Sequence, residues 1–174
     1  MFSALDETLM RRALDLAAMA MNHATPNPRV GCVLVRDGVI VAEGFTQRPG
    51  EHHAEAHAIK NARSKGVNLE GVTAYVTLEP CNHFGKTPPC TEALISAGIT
   101  RVFTAMEDPN PMVSGTGLAR LRDAGVDVRV GLLSHDAMEL NIGFVKRMTT
   151  GLPWVRAKVA ASMDGRTGLS NGES

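Results

Sequence analysis

Two β-branched runs, Val30–Val35 and Val39–Ala42, stand on either side of the dipeptide Asp37-Gly38. An Asp-Gly turn between such runs has the backbone twist that joins two antiparallel strands, so the chain commits early to a hairpin. A hairpin alone cannot bury its faces in water. Other segments of the chain must therefore pair with it and cover it.

The flanking periodicities supply both. Ser3–Met21 reads as a helix with Leu5, Leu9, Ala13, Leu16 and Ala20 on one face, and Ser3 with Asp6 forms a capping-box pattern at its start. Thr25-Pro26-Asn27-Pro28 ends it. A second helix is expected over His53–Ser64 and a strand over Thr73–Leu78. Pro88-Pro89 opens a third helix that runs to Ala97, with Gly98 as its stop. Arg101–Met106 and Val126–Val130 read as strands, and Gly117–Ala124 reads as a helix between them. Ser134–Met148 reads as one amphipathic helix with Met138, Ile142 and Val145 inward. The order is α-ββ-α-β-α-β-α-β-α, which implies a mixed five-stranded sheet with helices on both faces. Residues 1–150 are expected to form this domain. Trp154–Ala161 reads as one more strand, with nothing after it to complete a second core.

The 174 residues suffice for one ordinary domain. Lys+Arg and Asp+Glu both number 18, so the chain lacks the electrostatic footprint of a nucleic-acid or membrane-surface binder. The N-terminus shows no basic segment followed by an apolar run, and no apolar stretch approaches the ~20 residues of a membrane span. Three cysteines make a poor disulfide framework. A cytoplasmic protein with reduced cysteines, some on a metal, is expected.

The residues that carry chemistry are His53-Ala54-Glu55, Pro80-Cys81 and Pro88-Pro89-Cys90. One imidazole and two thiolates suit zinc, and three protein ligands leave its fourth position for water. Zinc lowers the pKa of such a water to about 7, and a carboxylate two residues from the histidine can move its proton. Residues two apart on a helix point roughly 200° away from each other, so His53 and Glu55 share a site only if the helix begins at His53. Cys90 also falls at a helix start, where the partial positive charge favours thiolate. The zinc-deaminase pattern His-x-Glu is matched, but its second half, Pro-Cys-x-x-Cys, is stretched to eight intervening residues. A His53/His57 pair is a rival ligand set. Cys32 reads as a small buried hydrophobe. His83, between the two cysteines, is either a substrate contact or a plain loop residue.

Three segments together resemble one family: Thr25–Gly31, His53-Ala54-Glu55, and Val76–Cys90 with its Gly85-Lys86-Thr87-Pro88-Pro89 insert. They look like the pyrimidine deaminase of riboflavin biosynthesis, diaminohydroxyphosphoribosylaminopyrimidine deaminase, a branch of the cytidine-deaminase-like proteins. Asp108-Pro109-Asn110-Pro111 also matches. The resemblance implies a three-layer αβα sandwich and hydrolytic loss of ammonia from an aminopyrimidine bearing a phosphoribosyl group. It implies one zinc on His53, Cys81 and Cys90, with Glu55 catalytic. It places Asn27, Lys86, Asp108 and Asn110 on the substrate, although each has a plain role as a turn former, a solvated charge or a cap. Thr46 departs, because many members carry histidine there. The partners implied are a small-molecule substrate and a second copy of the chain in a homodimer. Residues 151–174 resemble a linker and the first strand of the family's NADP-dependent reductase domain, where Ala160 would fall near the nicotinamide of NADP(H). Two other readings stay open. One is another base, nucleoside or tRNA deaminase; the other is a structural zinc module that recruits His83 as a fourth ligand.

Overall fold

The computed structural model describes residues 2–84, 88–168 and 172. The expected hairpin is present: β1 (Gly31–Arg36) pairs antiparallel with β2 (Val39–Phe45). Asp37 and Gly38 take φ values of 51° and 77°, the doubly positive turn that suits strand twist. On its other side β1 pairs antiparallel with β3 (Thr73–Val76), which continues in parallel to β4 (Arg101–Thr104) and then β5 (Asp127–Val130). The result is a mixed five-stranded sheet of order β2-β1-β3-β4-β5. The antiparallel half comes from the tight turn, and the parallel half from helical crossovers.

Among the described residues six helices accompany it: α1 (Ala4–Met19), α2 (Ala54–Ser64), α3 (Cys90–Ser96), α4 (Thr116–Asp123), α5 (Ser134–Leu140) and α6 (Ile142–Thr150). The sheet register shows how they are layered. Cys32 faces Gly44 across the hairpin, while Gly31 is one residue on and points to the opposite face. A Cβ added at Gly31 would overlap the Ala13 carbonyl of α1; one at Gly44 would overlap the Ala54 carbonyl and the Ala58 amide of α2. The two helices therefore lie on opposite faces, each pressed close against a glycine. The capping box forms as read: Ser3 Oγ accepts the Asp6 N–H at 3.1 Å and Asp6 Oδ2 accepts the Ser3 N–H at 2.7 Å. Asp6 also accepts the Tyr75 hydroxyl at 2.7 Å, which fastens the start of α1 to β3. Leu9, Ala13, Leu16 and Ala20 are buried as expected, but Leu5 lies over the Gly38 turn at the sheet rim and stays exposed.

Two expectations are corrected. The single helix read over Ser134–Met148 is two helices, interrupted at Asn141 (φ −109°, ψ 21°), whose side chain is drawn to the backbone of Arg29. A period read across that break mixes two helical phases. Met138, expected inward, is thus exposed, while Ile142 and Val145 are half-buried. The second correction concerns Trp154–Ala161, which forms no strand here: every residue in it is exposed, and among the described residues it joins no ladder of the sheet. Among the described residues no helix is long and apolar enough to cross a membrane.

The close approach at Gly44 has a measurable consequence. Gly44→Ala should destabilise the fold by about 3 kcal/mol, because the methyl meets backbone that cannot rotate away. Urea unfolding of the two proteins checks it.

Candidate metal centre and cleft

His53 is the N-cap of α2, extended at φ −69° and ψ 167°, so the helix begins one residue later, as the spacing to Glu55 requires. Its ring makes no capping bond and turns to the two cysteines instead. Nδ1 lies 3.5 Å from Cys81 Sγ and 3.4 Å from Cys90 Sγ. Cys81 follows β3 as the chain leaves the sheet, at the carboxyl edge of the parallel strands where open α/β sheets place their sites. Cys90 is the first residue of α3, and its N–H donates to Cys81 Sγ at 3.4 Å. The three ligand atoms lie within 4.8 Å of one another, and among the described residues they form the only such group. His57 is elsewhere engaged: Nδ1 lies 3.3 Å from the Phe45 N and 3.1 Å from Gln47 Nε2. His83 lines the neighbouring cleft and does not join the group.

The electrostatics of these residues ask for a cation. The hydrogen bond from the Cys90 thiol, helped by His53, pulls Cys81 down to about 4. Cys90 is pushed the other way by the bond it gives Cys81, by burial and by Glu55. The bond with Cys81 raises His53. Glu55 is only 4% exposed, and burial with the Cys81 charge behind it lifts its carboxyl to about 7. Two thiolates and a carboxylate cannot all ionise here unaided. A divalent ion between one nitrogen and two sulfurs removes that conflict, and this donor set fits zinc.

Beside the three ligands opens a cleft of about 430 Å³. Asn27, Thr46, Glu55, Asp108 and Asn110 line it, with Phe144 and Met148 of α6 as an apolar wall. Asp108 Oδ1 accepts the Asn110 N–H at 2.8 Å, and Asn110 Oδ1 accepts the Met112 N–H at 3.1 Å. Both thus have the turn roles read from sequence while still facing the cleft. Burial raises the Asp108 carboxyl above its ordinary range, against the bond from Asn110 and with the help of the nearby Glu79 charge. The Thr46 hydroxyl accepts the Val30 N–H at 3.0 Å and so serves the wall. Lys86 lies outside the described residues. Ala160 lies in the exposed C-terminal run.

Two contributions are not visible in the sequence pattern. Phe144 and Met148 carry no motif, yet they face the cleft. Glu79, also 4% exposed, accepts the N–H groups of Asp108 at 3.0 Å, Gly115 at 2.9 Å, Gly117 at 2.8 Å and Leu118 at 3.4 Å. One carboxylate thus gathers the loop that carries Asp108 and Asn110. A glutamate at a strand end with no basic neighbour in sequence is the one signal that could have pointed to it.

The family model of the cytidine and deoxycytidylate deaminase zinc-binding region matches residues 3–106. The chain belongs to this deaminase family. The match to the deaminase is close in several relatives. The riboflavin biosynthesis protein RibD of Escherichia coli is 56% identical over 97% of this chain and 45% of its own length. The diaminohydroxyphosphoribosylamino-pyrimidine deaminase of Buchnera aphidicola (from Schizaphis graminum) is 49% identical over 85% of this chain and 99% of its own. Among solved structures, a diaminohydroxyphosphoribosylaminopyrimidine deaminase/5-amino-6-(5-phosphoribosylamino)uracil reductase from Thermotoga maritima superposes with a TM-score of 0.93. It is 44% identical, over 98% of this deaminase chain and 48% of that one. The chain thus spans about half the length of such two-part relatives and nearly all of the Buchnera protein.

Glu79→Gln should keep the side chain's size but set an amide N–H against backbone N–H donors, at a cost of about 2 kcal/mol. Denaturant unfolding monitored by circular dichroism checks it.

Proposed function

We propose that the chain hydrolytically deaminates diaminohydroxyphosphoribosylaminopyrimidine to aminophosphoribosylaminouracil, a step of riboflavin biosynthesis. The observation that carries this reading is the meeting of His53, Cys81 and Cys90 beside buried Glu55 at the head of a cleft with polar walls. The substrate is supported by the Buchnera relative of that name, which the chain matches almost end to end.

His53 Nδ1, Cys81 Sγ and Cys90 Sγ would hold zinc, which when bound acidifies a water to a pKa of about 7. Glu55 does the proton work. Its carboxylate takes a proton from the attacking water and gives it to the ring nitrogen, then takes the remaining proton from the added hydroxyl and passes it to the amine as the C–N bond breaks and the carbonyl forms. Water and the amine-bearing carbon thus become a carbonyl and ammonia. Glu55, buried beside the three metal-binding atoms and two residues from His53, is placed to accept and donate protons in turn, as such a relay needs. Asn27, Asp108 and Asn110 bind the substrate from the cleft walls, and Lys86, on the insert between the cysteines, supplies a positive charge for it. Phe144 and Met148 offer apolar surface to the ring.

The remaining length of the relatives supports a second proposal. Residues 151–174 lead into an NADP-dependent reductase domain, to which NADP(H) and the role of Ala160 belong. The exposure of their described part fits a segment that awaits a partner sheet. The chain's free cysteines fit a reducing cytoplasm.

Two measurements test the deamination. Glu55→Gln should retain zinc by elemental analysis and lower ammonia release at least 10³-fold. Chelation should abolish ammonia release from the phosphoribosyl pyrimidine and zinc should restore it, with cytidine untouched throughout. Full activity in the metal-free chain would sink the reading.

A further inference from the structure

The loop that carries Asn27 has no regular structure, yet the last two helices hold it at several points. The Asn141 side chain, 2% exposed at the α5–α6 junction, accepts the Arg29 N–H at 2.8 Å and donates to the Arg29 carbonyl at 2.8 Å. The pairing reproduces one rung of a β-ladder with an amide in place of a strand. The Arg29 guanidinium donates in turn to the Leu140 carbonyl, and Arg147 Nη2 donates to the Pro26 carbonyl at 2.8 Å. Asn27 sits between these tied residues and lines the cleft, whereas Asn141 does not. No hydrogen bond among the described residues uses the Asn27 side chain, which leaves its amide for a ligand.

We propose that Asn141 is a positioning residue for the reaction: by pairing with both backbone groups of Arg29 it sets where Asn27 meets the substrate, without touching the substrate itself. The proposal rests on the deaminase function argued above. Asparagine is the side chain for the task, because it carries one donor and one acceptor side by side. Aspartate would set an oxygen against the Arg29 carbonyl, and an aliphatic side chain would leave both groups unpaired. The metal ligands and Glu55 come from α2, α3 and the chain after β3, none of which Asn141 bonds to. Loss of Asn141 should therefore weaken substrate binding and spare the chemistry.

The test measures kcat, KM and zinc content of the zinc-loaded chain with the phosphoribosyl pyrimidine. It compares Asn141→Ala, Asn27→Ala and the double variant with the unsubstituted protein. Asn141→Ala should raise KM about tenfold with kcat changed less than about threefold and zinc content unchanged. In the Asn27→Ala background the same substitution should add less than about twofold, since it has nothing left to position. Exposed Arg147→Met, which removes the outer tie without opening the core, should raise KM about threefold and couple to Asn27 in the same way. It carries the test if Asn141→Ala fails to fold. An unchanged KM, or an undiminished effect once Asn27 is gone, would overturn the proposal. Silence of the unsubstituted chain toward this substrate would instead sink the functional reading beneath it.

Discussion

Helix α2 lies so near β2 that only a hydrogen fits at Gly44, where a methyl would strike the Ala54 carbonyl and the Ala58 amide. That contact decides where the functional end of the helix stands. Ala54 is the first residue of α2 and His53 its N-cap, so backing the helix onto Gly44 fixes where the imidazole stands, 3.5 Å from Cys81 Sγ and 3.4 Å from Cys90 Sγ. There Cys81 leaves the sheet and Cys90 starts α3. Three ligands from three segments meet because one helix start, one strand end and a second helix start share an edge of the sheet. The alanines of α2, poor as core fillers, permit the approach.

The same placement sets the electrostatics. Glu55 follows His53 by two residues, and because the helix begins between them both can reach one site. Its burial raises the carboxyl to about 7, and the Cys81 thiolate adds to the rise. Such crowding of anions destabilises the folded protein unless a cation stands among them. The anions that favour a cation here thus crowd the same pocket that buries Glu55.

Most of the fold was legible because it is written in local chemistry. Asp37-Gly38 names its own turn, Ser3 and Asp6 name a helix start, and Gly98 names a helix end with φ of 77°. The meeting of His53, Cys81 and Cys90 was legible because residue types and spacing constrain it: His53 and Glu55 can share a site only at a helix start, and the structure puts the start there. Sequence periodicity failed where a long-range polar contact overrides it. Asn141 breaks the helix to reach Arg29, 112 residues away, and nothing near Asn141 announces the partner. Glu79 was silent for the same reason, as its donors lie 29 to 39 residues on. Trp154–Ala161 shows the converse, since β-propensity makes no strand without a neighbour to pair with.

The two overlooked residues solve one problem with opposite electrostatics. A cleft needs walls that are not sheet or helix, because side chains must converge on the ligand from several directions, and such walls leave backbone groups without partners. On one side an anion, Glu79, takes the N–H groups of Asp108 and Gly115 in the loop and of Gly117 and Leu118 in the first turn of α4. On the other side Arg29, in the loop of Asn27, offers one N–H and one carbonyl, and a neutral amide, Asn141, takes both. An anion at the second place would repel the carbonyl, and an amide at the first would waste its donor. Each anchor is buried and matched to the polarity of the backbone it holds. Side chains on irregular loops can therefore face a small ligand with the rigidity usually reserved for strands.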